Sequence, residues 1–201
     1  MKKAMPPQMD PIPTLPEITQ RVYFQISIDG ATPQKVVFGL FGNIAPKTVE
    51  NFVALSTCRI QEPGILTGKS LCYRNTIFHR IIPHFALQGG DFSHGDGTGG
   101  ESIYGGRFED ESFAVKFNRP YLLAMSNAGR NSNGSQFFIT VVKAQWLDNQ
   151  HVVFGTVLEG RAFIDELEGW GTYGGMTQGK IEIVECGEEP LQPEDKEPHY
   201  G

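Results

Sequence analysis

The sequence predicts a mainly β domain, an eight-stranded antiparallel closed β-barrel capped by two α-helices. Three observations lead there. The 201 residues include 24 glycines and 14 phenylalanines, a composition that suits short strands and tight turns better than a helical bundle. Eight short segments have strand patterns, most with one apolar face and one mixed face, as a closed sheet needs. Only two segments have helical stripes. They are not interleaved with the strands as βαβ units, so a helix at each open end of a barrel fits best.

The first 19 residues hold five prolines (Pro6, Pro7, Pro11, Pro13 and Pro16) and are expected to form an extended tail. The domain is expected over 20–189. In RVYFQISID, Val22, Phe24, Ile26 and Ile28 share one face, and in KVVFGLF so do Val36, Phe38 and Leu40. APKTVENFVALST places Val49, Phe52 and Val53 at helical spacing, with Pro46 in the first turn. TIFHRII reads as one strand with Ile77, His79 and Ile81 on one face and Phe78, Arg80 and Ile82 on the other. The short strands FALQG, YLLAM and FFITVV follow, then HVVFGTVLE. EGRAFIDELEG forms the second helix through Phe163, Ile164 and Leu167, stopping at Gly169. KIEIVEC is the last strand, and 190–201 form an acidic tail.

Charge follows the same division. The chain carries a net −6, yet residues 187–201 alone hold five acids and one lysine, so the domain itself is close to neutral. This balance excludes nucleic-acid binding through a basic surface. No run of 18 apolar residues exists, so no transmembrane helix is expected. The start MKKAMPPQMDP has no apolar core of a secretory signal, which points to a cytoplasmic protein small enough to enter the nucleus. The three cysteines, Cys58, Cys72 and Cys186, are then expected as reduced thiols, with a Cys58–Cys186 or Cys58–Cys72 bridge the alternative.

Several motifs fail on their context. GDGTGG has the spacing of a dinucleotide fingerprint but opens no helix. GILTGKS is one residue short of a phosphate-binding loop. Asn133-Gly134-Ser135 reads as a turn rather than a glycosylated site. His79, His84 and His94 match no metal-ligand spacing, and no nucleophile motif is present. No metal and no cofactor are expected.

Three dense blocks remain: FHRIIPHFALQGGDF at 78–92, SNAGRNSNGSQFFIT at 126–140 and AQWLDNQHVVFG at 144–155. Two long polar or glycine-rich loops, 89–118 and 127–136, flank them. Together the blocks supply arginine, amide, aromatic and histidine side chains, without a paired carboxylate or a nucleophile. Taken singly, Phe85, Phe138 and Leu147 would be core residues and Arg80 a surface cation.

In this order and spacing the blocks resemble the cyclophilins, the cyclosporin-binding peptidyl-prolyl cis-trans isomerases, over roughly residues 20–187. The resemblance implies the barrel with two capping helices. It implies catalytic roles for Arg80, for Gln88 as the residue that orients the arginine, and for Asn127 through its backbone groups. It implies substrate-binding roles for Phe85, Ala86, Gly97, Ser126, Gln136, Phe138, Trp146, Leu147 and His151, with Trp146 linked to cyclosporin. The expected function is acceleration of rotation about X-Pro bonds and assistance to protein folding. The expected partners are Pro-containing peptides and protein clients and a cyclosporin-type cyclic peptide, bound by a monomer. The alternative is a cyclophilin-fold module that binds Pro peptides with weak or no turnover. A barrel carrying a small molecule is disfavoured, because large apolar side chains should fill the interior.

The chemistry suits these residue types. The planar amide resists rotation by about 18–20 kcal/mol. No bond breaks, so neither nucleophile nor cofactor is needed. A fixed cation over the prolyl nitrogen favours the twisted, pyramidal form over the planar one.

The sequence departs from the family at Ala86, where methionine is usual, and at Ser126, where alanine is common. The resemblance implies that Gly106 and Arg107 lie beside a neighbouring pocket, which makes them candidates for setting substrate preference. The segment Cys58 to Asn75 resembles the insertion of the divergent-loop cyclophilins, a subgroup proposed to sense redox state through two cysteines. Cys186 matches one of them, whereas Ser56 stands at the place of the other.

Overall fold

The computed structural model describes residues 13–196. A single antiparallel sheet of nine strands dominates it. The strands are β1 (Gln20–Ile28), β2 (Gln34–Leu40), β3 (Thr76–Ile77), β4 (Arg80–Ile82), β5 (Ala86–Gly89), β6 (Leu122–Met125), β7 (Phe137–Thr140), β8 (Val153–Glu159) and β9 (Ile181–Glu189). Their order across the sheet is β3-β9-β1-β2-β8-β6-β7-β5-β4. Register shifts between Gln25 and Ile26, Val37 and Phe38, and Leu123 and Ala124 bend the sheet so that it curls. Helix α1 (Pro46–Thr57) and helix α2 (Arg161–Glu168) pack against the curled sheet.

The expected eight-stranded closed barrel is corrected in count and in closure. TIFHRII is not one strand. Phe78 and Ile81 are both fully buried, and residues three apart in a regular strand face opposite ways. The chain therefore turns between them. Phe78 still donates its N–H to Ile181 on β9 (2.9 Å), while Arg80 already pairs with Gln88 on β5. Strands β3 and β4 thus end opposite edges of one ladder, joined by the chain rather than by hydrogen bonds, and the sheet is an open half-barrel.

Strand alternation divides the apolar residues into two sets. Val22, Phe24 and Ile26, Val36, Phe38 and Leu40, Leu87, Leu123, Phe137 and Ile139 fill the interior. Phe52 of α1 is the hub, with ring centroids 5.1 Å from Phe154, 5.4 Å from Tyr73 and Phe137, and 5.8 Å from Phe24. α1 lacks a side-chain cap of its own. The carboxylate of Glu111 fills that role, accepting from the Lys47 amide at 3.0 Å and from the Thr48 hydroxyl at 2.7 Å.

The second set lies on the outer face: Ala86, Leu122, Ala124, Phe138 and Val153, with Phe41, Phe117 and Ala144. Part of the expected N-terminal tail covers it, because Leu15 and Ile18 are buried there. Gly39 makes this possible, since a Cβ at that position would sit 2.6 Å from Ile18 Cδ1. At the other end, residues 193–196 form a 3-10 turn that buries Asp195 against Arg21. Arg21 is only 4% exposed and also pairs with Glu159 and Glu189. The described parts of both expected tails are therefore packed, held by two apolar anchors at one end and one buried ion pair at the other. Residues 1–12 and 197–201, the rest of those tails, lie outside the described residues.

The cysteine expectation also changes. Cys58 and Cys72 are joined as a disulfide, while Cys186 is free and buried. Cys58 leaves α1 in the left-handed conformation (φ 53°), which turns the chain into the loop that returns at Cys72, Cα to Cα 4.6 Å.

Removing one partner of a buried ion pair leaves the other charge poorly solvated. Asp195→Ala should therefore lower the unfolding free energy by about 1.5–3 kcal/mol, read as a shift in urea midpoint at constant slope. An unchanged midpoint would mean that the C-terminal turn contributes nothing to the fold.

Candidate functional site

The site is built on the outer face of β4, β5, β7 and β6. Directly opposed residues in antiparallel strands share a face. The register pairs Arg80 with Gln88, Gln88 with Phe138, and Phe138 with Ala124. One row across four strands thus presents a cation, an amide and an aromatic ring, while their neighbours Leu87, Phe137 and Ile139 point into the core.

Arg80 is exposed, and among the described residues no carboxylate is paired with it. Its stem lies along the turn at Gly175, which has φ +90° and no room for a side chain: a Cβ there would meet Arg80 Cγ at 2.8 Å and Nε at 3.1 Å. Hydrogen bonds from Ile81 N to Gly175 O (3.0 Å) and from Thr172 N to Ile81 O (3.2 Å) hold that turn to β4.

The apolar wall follows from the outer cluster. Phe138 is 6% exposed, stacked on Phe117 (5.9 Å between centroids, 7° between planes) and edge-on to His151 at 5.2 Å. Phe85 precedes β5 and packs on Trp146 at 5.8 Å. A 3-10 turn at Gln145–Leu147 brings Leu147 alongside. His151 Nδ1 lies 2.9 Å from Met125 O, and a carbonyl only accepts, so Nδ1 carries the proton and Nε2 is free for a ligand. Asn127 uses its side chain locally: Nδ2 donates to Gln150 O (2.8 Å), and Oδ1 accepts from Gly129 N (3.2 Å). Those two bonds hold Asn127 in place in the lining of the cleft.

A polar network runs behind the row. Gln88 Nε2 donates to Ser126 Oγ and to Gln136 Oε1, each at 3.0 Å. Gln136 Nε2 in turn donates to Gly97 O and Gly99 O, each at 2.9 Å. The glycine-rich loop is gathered by one residue, Asp91, only 2% exposed. Its Oδ1 accepts from the amides of Ser93 and His94, and its Oδ2 from those of Asp96, Gly97 and Gly99, at 3.0–3.3 Å. Burial alone would raise its pKa. The amides of His94, Gly99, Gly97 and Ser93 outweigh burial and hold the carboxyl far below the usual aspartate range.

These elements enclose a cleft of about 340 Å³. Of the twelve site residues named from sequence, Arg80, Phe85, Ala86, Gln88, Gly97, Ser126, Asn127, Gln136, Phe138, Leu147 and His151 line it. Trp146 does not; it stands on the rim, 59% exposed, behind Phe85. Gln88 sits beside Arg80 as its strand partner, but its Nε2 bonds run to Ser126 and Gln136 and none joins it to the guanidinium. The lining also includes Thr98, Gly99, Ser132 and Arg107.

Residues 23–188 match the model of the cyclophilin type peptidyl-prolyl cis-trans isomerase/CLD family. The chain belongs to the cyclophilin family. A curated relative, peptidyl-prolyl cis-trans isomerase CYP21-1 of Arabidopsis thaliana, is 48% identical over 182 residues, which cover 90% of this chain and 80% of the relative. Like other cyclophilins the chain is a peptidyl-prolyl cis-trans isomerase.

Sequence reasoning about this cyclophilin overlooked Asp91 and Gly175. The signal for Asp91 was available: an aspartate at the mouth of a glycine-rich loop is well placed to collect its amides. Gly175 carried no signal, because its contact with Arg80 joins residues 95 apart.

Asp91→Asn should loosen the loop, since one face of the amide would present N–H to N–H. The measurable result is lost hydrogen-exchange protection at Gly97 and Gly99. A lowered native pKa contributes stability that is complete above the ordinary value of 3.8 and disappears as pH falls through the native value. The gap in stability between wild type and Asp91→Asn should therefore be widest near neutral pH and narrow below 3.8. A gap independent of pH would contradict the role given to the carboxylate.

Proposed function

We propose that this isomerase turns X-Pro bonds in the cleft by dividing the work between Arg80 and the apolar wall. The prolyl ring lies against Phe138, Phe85 and Leu147, where apolar burial is worth about 25 cal/mol per Å². The peptide backbone pairs with the fixed backbone groups of Asn127. The carbonyl before the proline then swings while the ring stays still. Arg80, permanently charged and fork-shaped, donates to the prolyl nitrogen as that atom becomes pyramidal and gains a lone pair. The observation that carries this reading is the register of Arg80, Gln88 and Phe138 on β4, β5 and β7, which sets a cation beside an aromatic wall on rigid backbone.

The clients are Pro-containing chains. Uncatalysed X-Pro isomerisation takes tens to hundreds of seconds and is slow enough to limit folding, so the activity assists protein folding. A cyclosporin-type cyclic peptide occupies the same groove, with Trp146 on the rim beside Phe85. The chain works as a monomer in the cytoplasm.

Ala86 supports a second reading, a binding module with slow turnover. It stands on the row next to Gln88 and Phe138 and lines the cleft, but its small side chain leaves the wall less filled and the ring less tightly held.

Two experiments test this assignment. Arg80→Ala should lower catalysed cis-trans exchange of a Pro peptide, followed by NMR, by about 10²–10³-fold, with the fold intact because Arg80 is exposed. Cyclosporin should abolish exchange in the wild type. Near-wild-type exchange in Arg80→Ala would overturn the mechanism, and binding without faster exchange in the wild type would leave the module. Ala86→Met should refill the wall and tighten Pro-peptide binding about tenfold, from roughly 1.5 kcal/mol of added apolar contact. Unchanged or weaker binding, measured calorimetrically, would mean that Ala86 does not limit the grip on the ring.

A further inference from the structure

The loop between Cys58 and Cys72 ends beside β9, and this brings together three sulfurs that lie far apart in sequence. The Sγ atoms of Cys58, Cys72 and Cys186 all fall within 4.8 Å of one another. They come from the end of α1, from the returning loop and from the middle of β9. None of the three lines the substrate cleft. We propose that, with the Cys58–Cys72 disulfide reduced, these three cysteines form a thiolate site for one soft, closed-shell cation, copper(I) or zinc(II).

The spacing fits such an ion. Thiolates about 2.3 Å from a metal stand about 3.8–4.0 Å apart in tetrahedral or trigonal arrangement, inside the span available here. Thiolate sulfur selects copper(I) and zinc over harder cations. The surroundings also supply N–H donors to the sulfurs. The Arg74 amide donates to Cys72 Sγ at 3.3 Å, and Arg74 also acts on Cys186, opposing the burial that pushes that thiol up to about 11. N–H donors of this kind orient and tune metal-bound thiolates. Access is one-sided. Cys58 and Cys72 are half-buried, while Cys186 is 3% exposed at the back, so an ion can enter past the pair and meet the third sulfur.

The chemistry balances simply. A dithiol reductant gives two electrons and two protons to the Cys58–Cys72 disulfide and becomes a disulfide itself. Each thiol that then binds the cation releases its proton to solvent, and no further electrons move. In the disulfide form only Cys186 can act as a thiolate, and the site is closed.

Cadmium(II) is the probe, because thiolate-to-cadmium charge transfer absorbs in the ultraviolet. Titrated anaerobically into the reduced full-length chain, it should saturate at one ion per chain. Bound cadmium should block alkylation of Cys58 and Cys72. The oxidised chain should show no band. Cys72→Ser, in the loop, and Cys186→Ala, checked for folding by thermal melting, should each weaken binding by about a hundredfold or more. Copper(I) delivered from a chromophoric chelator should displace the cadmium, and zinc(II) in excess should compete with it. No saturating band in the reduced chain, a band of equal strength in the oxidised chain, or full affinity in Cys186→Ala would each overturn the proposal.

Discussion

The two-fold alternation of β5 and β7 is the constraint on which the rest depends. Leu87, Phe137 and Ile139 point inward and meet the core around Phe52; their neighbours Gln88 and Phe138 must then point outward. A slip of one residue would exchange the two sets and bury an amide where a ring belongs. The energy that holds the core therefore also fixes the outer row. Arg80 joins that row only because the chain breaks between Phe78 and Arg80 and re-enters the ladder opposite Gln88.

That break explains both what could and what could not be read from the sequence. Segments with strong period-two patterns, such as 21–29 and 35–41, became β1 and β2 almost as expected. The helices followed from Val49, Phe52 and Val53 and from Phe163, Ile164 and Leu167. TIFHRII was misread because apolar residues at 77, 78, 81 and 82 satisfy alternation without revealing a turn. The open edge of the half-barrel follows from that same turn, a tertiary event. The ends were misread for a related reason. A few anchors in a proline-rich segment, Leu15 and Ile18, or a single Asp195 opposite Arg21, leave no periodic trace.

The site was more legible than the fold that carries it. Its residues sit in three contiguous blocks, and contiguous blocks can be recognised as a pattern. What stayed hidden was the support: the Gly175 turn under Arg80, and the Asp91 carboxylate that ties five loop amides into a wall for Gln136. The three cysteines were hidden in the same way, as positions 58, 72 and 186 meet only when α1, the loop and β9 are folded together.

The site has few moving parts. Its cation, amide row and ring stand on paired strands, and the opposite wall is a loop stapled by one buried carboxylate. Such a surface can hold a ring still and leave the peptide free to turn, which suits a reaction whose barrier is electronic rather than covalent. The most direct test is a crystal structure of the chain with a bound X-Pro peptide. The account predicts the prolyl ring against Phe138, with the Arg80 guanidinium within hydrogen-bond reach of the prolyl nitrogen. A ring seated elsewhere, or an Arg80 turned away from that nitrogen, would contradict it.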